Sequence, residues 1–232
     1  MNRPKVDDEA HINFLMATPT VCSATEAARV QPKAADPPAH DAFTRLLHRL
    51  EPDAARLWRE AAPQVERQRG VLVVDDSTLD KPYAKKIELV RRHWSGKHHA
   101  VVEGINLVTL LWSDGDRHVP VDYRIYDKAG DALTKNDHFR ALLEAAHGRG
   151  FMPECVVFDS WYSSLENIKQ VQDFGWVWLT RLKANRLVNP DRTGLCPVAR
   201  VETEAQGAVV HLKGYGLIRL FLIVAPDGDK EY

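Results

Sequence analysis

The chain has 232 residues, 44% of them hydrophobic, and its 31 Lys and Arg nearly cancel 32 Asp and Glu. That is enough apolar side chain for a real core, in one large domain or a main domain with a small appendage. Cys22, Cys155 and Cys196 are odd in number and lack a CxxC spacing, which indicates neither a disulfide framework nor a zinc site and fits a reducing cytoplasm. No run approaches the ~20 apolar residues of a membrane span, and Asp7, Asp8 and Glu9 before the short run 12–17 are wrong for a signal peptide.

Residues 1–22 have no clear period. Residues 24–30 have a short helical pattern, and Pro32, Pro37 and Pro38 mark a turn or linker. Asp41 is a candidate N-cap for a helix with Phe43, Leu46, Leu47 and Leu50 on one face, closed by Pro52. A further helical stretch with Leu57 and Trp58 ends at Pro63. With Arg45, His48, Arg49, Arg56 and Arg59 on polar faces, residues 1–66 read as an N-terminal helical region, either a small DNA-binding unit or a cap on the main domain.

Residues 71–74 are Val-Leu-Val-Val and are followed by Asp75, Asp76, Ser77 and Thr78. A short apolar run bounded by polar residues predicts a strand buried on both faces, with its acids at the C-terminal end. Pro82 predicts a loop over residues 77–82. A long strand over 100–112 and its antiparallel neighbour over 119–126 are joined by a turn at residues 113–116. A helix containing Phe139, Leu142, Leu143 and Ala146 follows, ended by Gly148, and then a second acid-tipped strand runs into Asp159 and Ser160. Ser163 with Glu166 predicts a capping box for a helix that stops at Gly175. Residues 176–182 read as a fifth strand. Residues 208–213 and 217–225 are strand-like, and residues 226–229, Pro-Asp-Gly-Asp, signal a turn.

Three strands, helix, strand, helix, strand is the order of a ribonuclease H-like mixed α/β sheet, in which the first and fourth strands lie side by side. Those are the two acid-tipped strands, so Asp76 and Asp159 are expected together at one sheet edge. Carboxylates that close repel, and a divalent cation is their natural occupant. Basic residues cluster nearby: Lys81, Lys85, Lys86, Arg91, Arg92 and Lys97 against Glu88 alone, then Arg181, Lys183, Arg186 and Arg192 against Asp191. Such clusters suit a phosphate-backbone ligand.

The words Val-Val-Asp75-Asp76-Ser77-Thr78, Arg92-His93-Trp94-Ser95-Gly96-Lys97, Val157-Phe158-Asp159-Ser160-Trp161-Tyr162 and Trp178-Leu179-Thr180-Arg181-Leu182-Lys183 together span residues 71–188. In this order and spacing the chain resembles insertion-sequence DDE transposases of the group with a β-rich insertion before the last catalytic Glu. The resemblance implies a ribonuclease H-like catalytic domain over 67–186 and the start of the β-rich insertion over 187–232. It implies metal-dependent DNA strand cleavage and strand transfer at transposon ends. Asp76 and Asp159 are then the catalytic, metal-binding acids, with Asp75 as the fallback for Asp76. The metal implied is Mg²⁺ or Mn²⁺, because phosphodiester transfer uses paired hard cations on oxygen ligands. Arg181, Lys183, Lys97 and Arg92 are the implied DNA contacts. Implied partners are transposon-end and target DNA and a second copy in a synaptic complex, in the cytoplasm with the nucleoid. The family's helix bearing Tyr, Arg, the third Glu and Lys has no counterpart in this chain, so a truncated, inactive copy is expected. Two other readings are a non-catalytic DNA-binding remnant and a Mg²⁺-binding receiver-type signalling domain; the latter requires a helix directly after Asp76.

Overall fold

The computed structural model describes residues 4–19, 22–32, 35–51, 53–84, 86–226 and 228–232. Pro52, Lys85 and Asp227, singled out in the sequence, lie outside them. The chain divides into two compact units, Met1–Asp53 and Ala54–Tyr232.

The first unit holds α1 (Asp8–Ala17), α2 (Ala24–Arg29) and α3 (His40–Arg49). Asp7 caps α1 by accepting the Ala10 N–H at 2.9 Å, and Ser23 caps α2 by accepting the Glu26 N–H at 3.1 Å. Such side chains satisfy amide donors that the first helical turn leaves free. Helix α1 has a weak apolar period, which is why it escapes a periodicity reading; Phe14 alone is buried from it. Helix α3 begins after Ala39 with no side-chain cap, and Asp41 lies in its first turn instead, paired with Arg45 at 2.7 Å. Phe14, Ala27, Ala42, Phe43 and Leu46 form this unit's core with Val6.

The second unit opens on α4 (Ala54–Ala61), whose Trp58 ring lies 5.4 Å from that of Phe151 with the Arg149 guanidinium 5.0 Å above it. A boundary at residue 66 would sever this helix from the sheet it packs on. Next come β1 (Val71–Asp80), β2 (Arg91–Ser95), β3 (Ala100–Ser113) and β4 (His118–Tyr126). They are followed by α5 (Lys128–Asp131), α6 (Lys135–Gly148), β5 (Cys155–Phe158), α7 (Leu165–Asp173) and β6 (Trp178–Thr180). Together the strands make a six-stranded mixed sheet in the order β2-β3-β1-β5-β6, with β4 also on β3. The parallel β1–β5 neighbours are the two acid-tipped strands, and Asp76 lies inside β1 with no helix directly after it.

Two local expectations give way to pairing. Residues 77–80 continue β1 instead of forming a loop, because β3 is long enough to pair with all of it, out to Asp80 opposite Gly104. Pro82 falls just beyond, where no ladder donor is needed. Strand β2, Arg-Arg-His-Trp-Ser, lacks an apolar run and is held by antiparallel pairing with β3 at Ala100–Gly104. Helix α6 starts with a capping box, Thr134 with Asp137, and α7 is capped by Ser164, which accepts the Asn167 N–H at 3.2 Å. Glu166 is therefore a first-turn residue paired with Arg140 at 3.0 Å, and Ser163 is not the cap.

Phe139, Leu142, Leu143 and Ala146 of α6 and Ile168 and Val171 of α7 cover one face of the sheet over Leu72, Val74, Val156 and Phe158. The same core continues into a smaller four-stranded sheet of β7 (Leu187–Asn189), β8 (Cys196–Pro197), β9 (Ala208–Leu212) and β10 (Gly216–Leu220), in the order β10-β9-β7-β8. The run 217–225 is not one strand: β10 ends at Leu220, and β11 (Ile223–Val224) pairs separately with β12 (Lys230–Glu231). Among the described residues no helix is long and apolar enough to cross a membrane.

Candidate active site

The β1–β5 ladder runs from Val71 opposite Cys155 to Val74 opposite Phe158 and stops. The next residue on each strand is an acid, Asp75 and Asp159. Beyond that point β1 is paired only with β3, so the strands open into a crevice at their C-terminal ends, where open α/β sheets keep their ligands. Side chains alternate along a strand, so consecutive acids fall on opposite faces. Asp75 and Asp159 line the open face with Val73 and Val157, at one end of an apolar cavity of about 1140 Å³ that also takes in Trp176, Leu179, Leu217, Arg181 and Glu231. Asp76 follows Leu72 and Val74 onto the face covered by α6.

On that face Asp76 meets three donors from three different elements. Its Oδ2 accepts from Lys135 Nζ at 2.7 Å and from Asn106 Nδ2 at 2.8 Å, and its Oδ1 accepts from the Tyr162 hydroxyl at 2.9 Å. Tyr162 is itself fixed: its ring stacks on Phe139 at 5.2 Å, and its carbonyl accepts from the buried Asn167 amide at 2.9 Å. Lys135 is the first residue of α6, with its ammonium 5.7 Å from the Tyr126 ring and 5.9 Å from that of Trp161.

Electrostatics separate the acids. Burial acts to raise the Asp76 carboxyl, but the hydrogen bonds of Lys135 and Asn106, the Lys135 charge and the Tyr162 hydroxyl hold it below the usual range. Asp75 is raised, by burial first and also by the charges of Asp76 and Asp159. Burial and the nearby acids push the Tyr162 hydroxyl up, so it stays protonated and donates. Asp159 accepts the Ser160 N–H at 2.5 Å and lies 3.5 Å from Arg181, which also pairs with Glu231.

A family model described as DDE superfamily endonuclease matches residues 20–208. The chain belongs to this DDE superfamily. Among solved structures it is similar to the piggyBac transposase in a synaptic complex with hairpin DNA, at 11% identity and a TM-score of 0.46 over 84% of this chain and 42% of that one. It is similar also to the Drosophila P element transposase in a strand transfer complex, at 11% identity and a TM-score of 0.41 over 84% and 48%. The Mos1 strand transfer complex matches at 11% identity and a TM-score of 0.28 over 77% and 59%. This chain thus spans about half the length of the structures it matches. Among curated proteins none matches.

DDE endonucleases use divalent metals, and the donor chemistry here fits one. Asp75, Asp76 and Asp159 offer hard oxygen donors, and Asn106, bonded to Asp76, has a buried amide oxygen with no hydrogen-bond partner. Such a set suits a hard divalent cation. Among the described residues no three His, Cys, Asp or Glu side chains form a ready-made cluster for a metal ion. Lys135 instead supplies the positive charge at Asp76.

Of the basic residues expected to meet DNA, Arg181 stands at the acids. Lys183 lines a second, polar cavity with Ser160, Trp161 and Arg186. Arg92 and Lys97 are exposed on β2 and the turn after it, with β3 between them and β1, and Arg92 faces Glu103. Sequence reasoning missed Lys135 and Asn106. The signals were an asparagine inside the apolar run of β3 and a lysine at a helix N-terminus, where the helix dipole disfavours a cation.

The two shifted acids predict opposite pH effects. Asp76 has a depressed folded pKa, so it contributes stability above its unfolded value of about 4 and loses it as pH falls through the folded one. Asp75 is raised, so its protonation on acidification favours the folded state. Urea unfolding between pH 3 and 7 is expected to show a shallower acid loss in Asp76→Asn than in the unaltered protein and a steeper one in Asp75→Asn.

Proposed function

We propose that this chain is the catalytic portion of a DNA transposase that cleaves phosphodiester bonds and transfers strands at transposon ends with Mg²⁺ or Mn²⁺. The observation that carries the reading is the pair of parallel neighbours β1 and β5, whose shared ladder ends at Val74 and Phe158 with Asp75 and Asp76 following on one strand and Asp159 on the other. Asp76 and Asp159 are the proposed metal ligands. When bound, the ion activates the attacking hydroxyl and stabilises the leaving oxygen. Tyr162, Asn106 and Lys135 hold the Asp76 carboxylate ionised and oriented, and Arg181, beside Asp159, is the best placed of the basic residues to receive a phosphate. Lys183, Lys97 and Arg92 extend the basic surface, as phosphate contacts that position DNA without reading sequence. We assign end recognition to the helical N-terminal region and regard a second copy in the synaptic complex as the working assembly, acting at the nucleoid.

A second reading exchanges Asp75 for Asp76. It is favoured by register, since Asp75 and Asp159 come next after the Val74–Phe158 pair and line one cavity.

The test is nicking and strand transfer on duplex DNA with Mn²⁺, Mg²⁺ or EDTA. Cation-dependent nicking that EDTA abolishes supports the reading; equal nicking with EDTA refutes it. DNA binding by the chain is expected to weaken with salt at a log–log slope of about −0.9 per phosphate neutralised, and Arg181→Ala should reduce that slope by about one such unit. A salt-independent filter-binding titration would leave nucleic acid out of the account.

A further inference from the structure

We propose that Lys135 is the cation held at Asp76 and that it must leave that carboxylate before a divalent ion can bind there. The inference rests on Asp76 being a metal ligand. A carboxylate offers about four lone-pair directions. Lys135, Asn106 and Tyr162 take three of them on Asp76, so a single direction is left to an entering ion. Of the three donors only Lys135 carries a charge, and a divalent ion on Asp76 would sit within a few ångströms of the ammonium. Like charges at that range repel strongly in a partly buried site.

The surroundings of Lys135 are those of a held cation. Its side chain is 15% exposed, Nζ is 2.7 Å from Asp76 Oδ2, and the Tyr126 and Trp161 rings lie 5.7 and 5.9 Å from it. Ring faces attract an ammonium. Its place at the first position of α6 opposes the helix dipole, so Asp76 and the rings, not the helix, keep it there. Trp161, one of the two rings beside the ammonium, is 59% exposed.

Isothermal titration of Mn²⁺ into the whole chain, its Lys135→Met and Lys135→Gln variants and an Asp76→Asn control tests this. Both lysine variants are expected to bind Mn²⁺ about tenfold tighter or more, from removal of one like charge at the site. Affinity equal to or below that of the unaltered protein overturns the proposal while leaving the metal site standing. Absence of Mn²⁺ binding in the unaltered chain and in both variants overturns the metal site and this proposal together. Far-UV circular dichroism checks that the variants fold. If they do not, Mg²⁺ titration of the unaltered protein carrying ¹³Cε-labelled lysine decides it: the Lys135 resonance is expected to shift as the ion saturates, and an unmoved resonance at saturation overturns the proposal.

Discussion

Mn²⁺ affinity is expected to fall by more than about a hundredfold in Asp76→Asn and by less, about ten- to a hundredfold, in Asp75→Asn, since losing a direct ligand costs more than losing an outer-shell partner. The difference follows from what each carboxylate meets. Asp76 is ionised and oriented before any ion arrives, by two donors on Oδ2 and one on Oδ1. Asparagine keeps its shape and removes the charge. It also leaves the Lys135 ammonium at the site with no opposite partner, and that charge then repels an entering ion. Asp75 is held less ready, raised by burial and by its two acidic neighbours, with its Oδ1 engaged by the Asp76 N–H at 2.8 Å. Titration of both variants and of Asp159→Asn, which should match Asp76→Asn, checks the order. A larger loss in Asp75→Asn would select the reading in which Asp75 and Asp159 hold the ion.

Much of the sheet was legible because its central strands announce themselves. Val71 to Val74 and Cys155 to Phe158 are apolar without alternation, but burial on both faces is not what they show: Leu72, Val74, Val156 and Phe158 are buried, while Val71, Val73, Cys155 and Val157 are half-buried on the open face. The change from strands to helices between Tyr126 and Phe139 follows a change of period. Edges and ends were less legible because neighbours decide them. The polar β2 has no signal apart from its pairing with β3, and β1 runs to Asp80 because β3 offers partners that far. Caps slipped for a local reason: Ser163 and Ser164 are both good N-cap residues, and only the backbone decides between them, with Ser164 extended at ψ 153°.

The site divides the same way. Asp75 with Asp76, and Asp159, stand out because they follow the two apolar runs. Lys135 and Asn106 reach Asp76 across 59 and 30 residues of sequence, and no local pattern links them to it. Asn106 could have been suspected as a lone amide inside an apolar strand, since a fully buried polar group needs a partner. Arg181 was legible as a cation leaving an acid-side strand, but its sharing between Asp159 and Glu231 was not, because β12 returns only after the turn at the end of the chain.

The largest loss of stability is expected from Trp112→Ala. Trp112 is fully buried in β3, directly opposite Leu72 of the acid-bearing strand. Its ring NH donates to the Arg69 carbonyl at 2.9 Å, and the Arg117 guanidinium lies 5.2 Å from its centroid. Gly70 adopts φ +78°, and a Cβ there would come within 2.9 Å of the indole nitrogen and 2.5 Å of the Ser113 carbonyl oxygen. The chain thus enters β1 against the NH edge of this tryptophan with no room to spare. Truncating a buried Trp costs about 3–5 kcal/mol through lost burial and the cavity left behind, and the Arg69 carbonyl left without its donor adds about 1–3 kcal/mol. Against a typical total of roughly 5–15 kcal/mol, the loss is a large share of what holds the sheet. In thermal unfolding Trp112→Ala is expected to lower Tm by roughly 10–20 °C for a unit of this size. Trp112→Phe, which keeps most of the ring volume and loses the NH, should lower it by less than half as much. Because β1 is anchored to β3 along its whole length and to β5 only as far as Val74, loosening the entry to β1 also loosens Asp75 and Asp76. Mn²⁺ affinity in Trp112→Ala should therefore fall even at temperatures where the protein remains folded, and an affinity equal to that of Trp112→Phe would show that the β1–β3 ladder holds the acids in place without the tryptophan.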